Sequence, residues 1–385
     1  TVAEPRLRGG AQPLYKIPST VETVTAADLE FDRATFNTIE TLGRRVPGLN
    51  LSDSQGNNNR IDINYRGFQA SPVTGVPQGL AVYQNGVRIN EAFGDTVNLD
   101  LIPQVAIQRI DVVTGNPVFG LNALGGAINI QMKNGFTWQG TEISALGGSD
   151  GRIAGSLQYG TMIGPWSFYF AGEGLNDRGW RYQSPSTIGR VYADLGYRTL
   201  DSEFHLVGQL ARTYFGAAAA TPVDFTHTDD RAIFTYPQTT TTQLGTIQLT
   251  GRVDISPTWD LAGNAYFRRF SQNYVDGNDG NFENCSTRSS FRGRLCFEDD
   301  GFDPAPGQSQ LDFRNQFLML GRGTAANGIP FTAGVPYGTI DITKTEATGY
   351  GGSLQAANRD KVFGFNNSFV VGGSIDVANY SFKSS

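Results

Sequence analysis

Few residues of this 385-residue chain combine the types and spacings that reactive chemistry requires. His205 and His227 are the only histidines, and neither stands at metal-ligand spacing from other donors. Asp276-Gly-Asn-Asp279-Gly-Asn281 has the look of a calcium loop, but position 12 counted from Asp276 is Thr287 where the closing glutamate belongs. Gly115-Asn-Pro-Val-Phe-Gly120 has the outline of a phosphate loop without its Gly-Lys-Ser/Thr ending or a helix after it. No catalytic set, metal site or cofactor site is expected, and the chain does not read as an enzyme. Cys285 and Cys296 are close enough in sequence to form one local disulfide in an oxidising compartment. The chemistry left is recognition by arginines, amides and aromatic rings.

The bulk composition says what kind of scaffold carries those groups. Only 17% of residues are charged, 11% are aromatic and 48 are glycine, a mix that suits strands and turns better than helical bundles. A net charge of −6 argues against a nucleic-acid partner. No segment has the run of about 18 apolar residues that marks a membrane helix; a β-barrel needs only alternation over about 10. Thr1-Val-Ala-Glu-Pro5 has neither the basic start nor the apolar core of a signal peptide, so an exported protein is expected to be present here in mature or trimmed form.

Residues 1–137 read as a small α+β unit behind a short leader, 1–16. Thr25-Ala-Ala-Asp28 has capping-box spacing before a short helix. Asn37-Thr-Ile-Glu40 repeats it, Leu42 and Val46 continue an apolar stripe, and Pro47-Gly48 ends it. Ile61, Ile63 and Tyr65 alternate with Asp62, Asn64 and Arg66. Asn85-Gly86, between Leu80–Tyr83 and Val87–Asn90, is a strong hairpin signal. A strand is expected over Val105–Val113 and another at Ala127–Ile130.

The order of these pieces resembles the plug of TonB-dependent outer-membrane receptors. Ile17–Leu29 resembles the plug opening. Arg45-Val-Pro-Gly48-Leu is similar to the Pro-Gly-Val element, and Ile63-Asn-Tyr-Arg66-Gly67-Phe68 to the Ile-Arg-Gly element. Val82–Arg88 resembles the Val-Asp-Gly-Val hairpin, with Asn85 in place of Asp. Ile107-Gln-Arg109-Ile-Asp111-Val-Val-Thr-Gly115-Asn-Pro117 resembles Glu-Arg-Ile-Glu-Val-x-x-Gly-Pro, with Asn116 inserted. Phe119-Gly120-Leu-Asn-Ala-Leu-Gly125-Gly126-Ala-Ile-Asn129-Ile130 resembles the Tyr-Gly-x-x-Ala-x-Gly-Gly-x-Ile-Asn-Ile ending, with Phe for Tyr. These departures mark a divergent subgroup.

Residues 138–385 alternate with period two. Ile153, Leu157 and Tyr159 oppose Ser156 and Gln158; Trp166 and Phe168 oppose Ser167, Tyr169 and Glu173. Phe204, Leu206 and Leu210 oppose His205 and Gln209; Ile247 and Leu249 oppose Gln248; Trp259 and Phe267 oppose Asp260 and Arg268. A half-exposed soluble sheet alternates in the same way. Connections separate the two: short ones near 163–165, 199–201, 256–257 and 358–360 intervene between long ones at 176–186, 214–243 and 271–345. An outer-membrane barrel has tight periplasmic turns and long extracellular loops. The expected architecture is an α+β plug followed by about nine strands of an antiparallel transmembrane β-barrel, fewer than the 22 or so of a plugged barrel. Tyr380–Ser385 is expected to enter another loop.

The resemblance implies energised import of a scarce solute across the bacterial outer membrane. The partners implied are the TonB energy-transducing complex, a ferric siderophore or similar metal chelate, and outer-membrane lipid with lipopolysaccharide. Cobalamin, haem or an oligosaccharide is the alternative cargo. A signalling role is the second alternative; it needs an extra N-terminal domain, against which the short leader argues. No TonB-contacting box is identifiable in Thr1–Lys16. Ligand is expected on plug apices formed by Arg66, Phe68, Gln69, Asn90, Glu91 and Phe93; Phe68 and Phe93 serve equally well as plug packing. Gly48, Gly67, Gly86, Gly115, Gly120, Gly125 and Gly126 permit tight turns and close contacts. Arg109 and Asp111 belong with this structural set. By resemblance, Arg66 and Arg109 pair with barrel carboxylates and lock the plug, Glu173 being a candidate partner.

Overall fold

The computed structural model describes residues 20–31, 39–53, 56–76, 78–114, 123–216, 220–221, 223–227, 229–279, 282–284, 295–297, 338–361, 363–365 and 367–385. The leader, Asn37, Gly115, Gly120 and Cys285 lie outside them, and so does the Cys285–Cys296 pairing.

The first unit begins with β1 (Val21–Thr25), α1 (Ala26–Phe31) and α2 (Glu40–Arg45). The capping box at the first helix forms: Thr25 N donates to Asp28 Oδ2 at 2.9 Å and Asp28 N to Thr25 Oγ1 at 3.4 Å. The second helix has Ile39 at its N-cap with no side-chain cap. Leu42 and Val46 are buried, and Gly48 leaves the helix at φ +78. Strands β2 (Leu49–Ser52), β3 (Asp62–Tyr65) and β4 (Phe68–Ala70) form one small sheet. Strands β5 (Leu80–Gln84), β6 (Val87–Arg88), β7 (Ile107–Val113) and β8 (Gly126–Met132) join β1 in the order β1-β7-β8-β5-β6. The Asn85-Gly86 turn has positive φ at both residues, 48° and 81°, as a tight primed turn requires. Residues 104–106 form a 3-10 turn, so the expected strand over 105–113 starts two residues late. Gly125 admits the Phe68 ring: a Cβ there would lie 2.4 Å from Phe68 Cδ2.

The second unit is one antiparallel sheet of β9 (Gly140–Gly147), β10 (Ile153–Ile163), β11 (Trp166–Asp177), β12 (Ser186–Arg198), β13 (Ser202–Gly216), β14 (Gln238–Asp254), β15 (Trp259–Asp279), β18 (Gly338–Asn358) and β19 (Phe369–Ser384). A short pair, β16 (Phe282–Asn284) and β17 (Leu295–Phe297), lies in the 280–337 connection; it carries Cys296 opposite Glu283. The expected alternation holds. Ile153, Leu210, Ile247 and Leu249 face outward and are more than half exposed, whereas Gln158, His205, Gln209 and Asp260 face inward and are buried.

Three boundaries differ from expectation. β15 and β18 pair out to Asp279↔Gly338, so the long connection there is shorter than 271–345. The turn expected at 358–360 runs from 359 to 368. Tyr380–Ser384 is strand rather than loop: β19 continues the pairing with β18, and Tyr380 and Phe382 turn inward onto Phe93 of the first unit. Alternation without a long apolar run left that end ambiguous in sequence.

The two units share a core. Plug residues Ile63, Val82, Ile110 and Ile130 cluster with Tyr169, Ala171, Tyr192 and Val207 from the inner face of the wall. Around that patch the contact becomes polar, as an inward strand face evolved for water would make it.

Candidate functional site

Strand direction orients the molecule. β9 leaves the plug, and every second strand end then carries a long connection, so Asp177, Ser186, Gly216 and Gln238 mark one rim. Two plug segments reach that rim. Asn57 Nδ2 donates to Ser186 Oγ at 2.9 Å, and the buried Arg60 donates to Thr240 Oγ1 at 2.6 Å and to Pro72 O at 3.3 Å. Burial lowers the Arg60 guanidinium, with Asp100 and Asp62 opposing. Residues 56–60 therefore stand at the plug apex, with Pro72 beside them. Arg66-Gly67 is the turn at the far end of β3 and β4, and the expected apical residues Phe68 and Gln69 stand below 56–60 on the arm that returns toward Pro72. Two consecutive hairpin arms are indistinguishable from composition, and only their contact with the wall says which end is up.

Over this apex hang residues 178–185, 220–221, 223–227 and 229–237. Arg181 Nη1 lies 3.0 Å from where a Cβ on Gly56 would be, and its Nη2 donates to Thr221 Oγ1 at 2.5 Å and to Ala232 O at 3.3 Å. Arg231 Nε donates to Trp180 O at 2.7 Å, with its guanidinium 5.2 Å from the Tyr182 ring. Trp180, Tyr182, Phe225, Phe234 and Tyr236 are exposed around these cations. Arg231 is exposed among them, whereas Arg181 is buried beneath; the face thus offers flat apolar area with one open guanidinium, a combination suited to an aromatic or anionic organic ligand. Sequence reasoning missed Arg181, Trp180 and Tyr182; their only signal was membership of a long connection.

Below the apex the plug is seated by polar contacts, and they reverse the expected polarity. Arg268 of β15 makes a two-pronged pair with Glu91, 2.6 Å for each nitrogen–oxygen contact, and Glu91 is 3% exposed. Burial raises the Glu91 carboxyl, with Arg268 opposing. Arg190 of β12, 1% exposed, donates to Asp100 O and Ile102 O at 3.0 and 2.9 Å and pairs with Glu173 at 3.1 Å. Glu173 accepts the backbone N–H of Gln104 and Val105 at 2.9 and 2.7 Å. Gln209 donates to Leu101 O and Thr213 to Asp100 Oδ2, each at 2.9 Å. Burial also raises Asp100, against the Arg60 charge and the Thr213 hydrogen bond. Lys133 Nζ closes the lower end on Val105 O at 2.8 Å and Gln158 Oε1 at 3.1 Å. Residues 98–105 take a cluster of these wall contacts, through Asp100, Leu101, Ile102, Gln104 and Val105.

Of the remaining expected residues, Arg109, Asp111 and Asn90 are braced within the plug, Arg66 is exposed and Phe93 meets the wall. Arg109 pairs with Asp111 two residues along its own strand at 3.0 Å, and Thr23 donates to Asp111 at 2.7 Å. Arg66 is exposed, with its guanidinium 5.3 Å from the Tyr65 ring. Arg66 makes no pair with a wall carboxylate among the described residues; Glu173 does hold the plug, through backbone amides. Asn90 accepts from Val82 N at 2.8 Å and donates to Leu80 O at 3.0 Å, bracing the β5 hairpin. Phe93 stacks on Phe382, ring centroids 4.6 Å apart.

Comparisons with known proteins agree with this architecture. A family model described as TonB-dependent Receptor Plug Domain matches residues 13–127. The chain is 28% identical over 141 residues to the vitamin B12 transporter BtuB of Vibrio vulnificus, an alignment that covers 36% of this chain and 22% of BtuB. In structure it is similar to the ferripyoverdine receptor of Pseudomonas aeruginosa, with a TM-score of 0.67 and 13% identity over 99% of this chain and 45% of that one. It is also similar to the ferric-catecholate import receptor Fiu of E. coli K12, with a TM-score of 0.63 and 12% identity over 96% and 50%. The chain spans half or less of the length of each of these proteins. Residues 13–127 thus carry a TonB-dependent receptor plug domain, and the plug seated against a nine-stranded antiparallel wall has the fold of the outer-membrane receptors it resembles.

Proposed function

We propose that this chain is the plug and adjoining wall of a receptor that imports a ferric siderophore or similar metal chelate, with energy delivered by TonB. The observation that carries the reading is the aromatic face formed by Trp180 and Tyr182 around the exposed Arg231 guanidinium over the plug apex, with the buried Arg181 bracing it from beneath. An iron chelate is large, flat in part and commonly anionic, and this face answers each property. The seat below supports energised release. Glu91 and Asp100 are held above the usual carboxylate range by burial, so their counter-charges do not fully repay the desolvation of these two groups. Water entering as the plug shifts returns part of that cost, which favours a plug that is firm at rest and displaceable under load.

A second reading is cobalamin import, favoured by the sequence match to BtuB. Growth of a deletion strain on a panel of ferric chelates under iron limitation, beside growth on cobalamin, separates them. Failure on one ferric chelate alone supports the first reading. Full growth on every chelate with failure on cobalamin replaces it with the second.

A further inference from the structure

The plug meets the wall in two different ways. Along β10–β15 an apolar patch is ringed by hydrogen bonds and ion pairs, from Lys133 on Gln158 to Glu91 on Arg268. At β19 the plug sets a ring against rings: Phe93 stacks on Phe382 with centroids 4.6 Å apart and tilts against Tyr380 at 5.5 Å. Breaking a buried hydrogen bond leaves a donor or an acceptor unpaired. Parting two rings leaves no such orphan, and stacked rings accept offset and tilt. The aromatic contact is the stretch of the seam that can open and reclose without exchanging a polar partner.

The loop that carries Phe93 turns on a fixed root. Arg268 holds Glu91, and Glu91 N donates to Thr96 O at 2.8 Å, so residues 91–96 close on themselves. Asp95 pairs with Arg88 at 2.5 Å at the base of the loop. Between these fixings Ala92 and Gly94 are exposed, and the Phe93 ring is what the tip presents to β19.

Beneath the stack the wall is recessed. Tyr380 pairs across to Ala347, and the inward positions of β18 that follow toward the short-turn rim are Gly349, Gly351 and Ser353. None projects further than a hydroxymethyl group. On β19, Asp376 and Ser374 follow Tyr380 down the same face. There Asn264, Tyr266, Ser353, Ser374 and Asp376 face Arg88 of the plug across a slot of about 10 Å³, close to the least that holds a water. Ser353 Oγ is buried with no hydrogen-bond partner among the described residues. The plug therefore leaves a polar gap against β18 and β19, and Phe93 stands at its outer end.

We propose that Phe93 gates a passage down the inner face of β18 and β19. At rest its ring closes the outer end on Tyr380 and Phe382. Under load, loop 91–96 swings on its Glu91 root while the body of the plug stays seated on β11–β14. That the plug is worked at all rests on the import reading; the passage is tested with potassium chloride, so failure of that reading leaves the result unaltered.

The full-length receptor in planar lipid bilayers is the test. Phe93→Ala should gain a steady conductance that the wild type lacks. Phe382→Ala leaves the plug untouched and should gain it too, and it stands in for Phe93→Ala if that variant fails to fold. Gln84→Cys with Gln209→Cys, at a pair whose amides meet at 2.6 Å, ties the plug body to β13 through a short bifunctional thiol reagent. With that tie closed, Phe93→Ala should keep its conductance, whereas a plug merely loosened by the substitution loses it. Phe93→Cys with Phe382→Cys should conduct before the same reagent is added and fall silent after it. Silent ring variants, or a wild type that conducts as they do, overturn the gate. Conductance abolished by the Gln84–Gln209 tie overturns the passage along β18 and β19, since the whole plug must then have shifted.

Discussion

Glu91 and Arg268 show how a buried charge can hold two bodies together without welding them. The fork geometry supplies two short charge-assisted bonds, yet burial still raises the Glu91 carboxyl. Removing the guanidinium leaves a buried carboxyl with its main counter-charge gone, a loss of about 3–5 kcal/mol in comparable buried pairs. Arg268→Ala should therefore speed amide exchange across residues 91–97 in the full receptor, with Arg268→Lys intermediate because the ammonium lacks the fork. The pH dependence has a definite sign. A carboxyl held above its ordinary 4.5 in the seated plug favours seating below that value, and the benefit is lost as pH rises through the raised pKa. The alanine variant raises that pKa further, so its exchange defect should shrink on acidification. Identical exchange in wild type and alanine variant at neutral pH would remove this pair from the seat.

At the scale of elements, the wall and the seat were unequally legible. A wall strand reports its own surroundings: lipid on one side and water or plug on the other write period two into each segment, so Leu206 and His205 declare their faces without reference to any partner. The seat has no such local signature. Glu91 and Arg268 are 177 residues apart, and Arg190 grips Asp100 O from 90 residues away; the meeting depends on how one folded body sits in another. Arg66 and Arg109 drew attention because the family pattern contains them, whereas the residues that grip are wall arginines that read in sequence as ordinary polar-face positions. The segment 98–105 was missed because its two 3-10 turns carry no periodicity. Its conformation is held from outside, by Arg190, Glu173, Gln209 and Thr213. Arg190→Ala should consequently act on this element more than on the wall. Two backbone carbonyls lose a charged donor and Glu173 loses its cation, together worth about 2–5 kcal/mol of local stability. Limited proteolysis of the intact receptor should then cut within 98–106 while the barrel keeps its heat resistance. Cleavage no faster than in wild type would show that the apolar contacts alone hold the segment.

For the whole molecule, the wall formed by these nine strands has two bare edges. Among the described residues, β9 pairs with β10 alone and β19 with β18 alone. Within the hydrocarbon each unpaired backbone group costs several kcal/mol, and a spanning sheet escapes that cost only by closing. The nine strands do not close on themselves in the usual way. β9 and β19 both run from the short-turn rim to the long-connection rim, since an even number of reversals separates them. Joining them would make a parallel pair in a barrel class built, in bacterial single chains, from an even number of antiparallel strands. The plug adds a second obstacle. Phe93 already occupies the inner face of β19 through Phe382, and the shared core fixes Tyr169 and Tyr192 against the plug, so bending the wall to a tighter radius would break both contacts. Residues 1–385 produced alone and refolded into detergent should therefore show β-sheet in circular dichroism but no heat-modifiable compact band on a gel, whereas the full-length receptor should show that band. A compact, heat-modifiable form of residues 1–385 alone would mean that the two edges do meet, and that the wall can be sealed by a parallel pair.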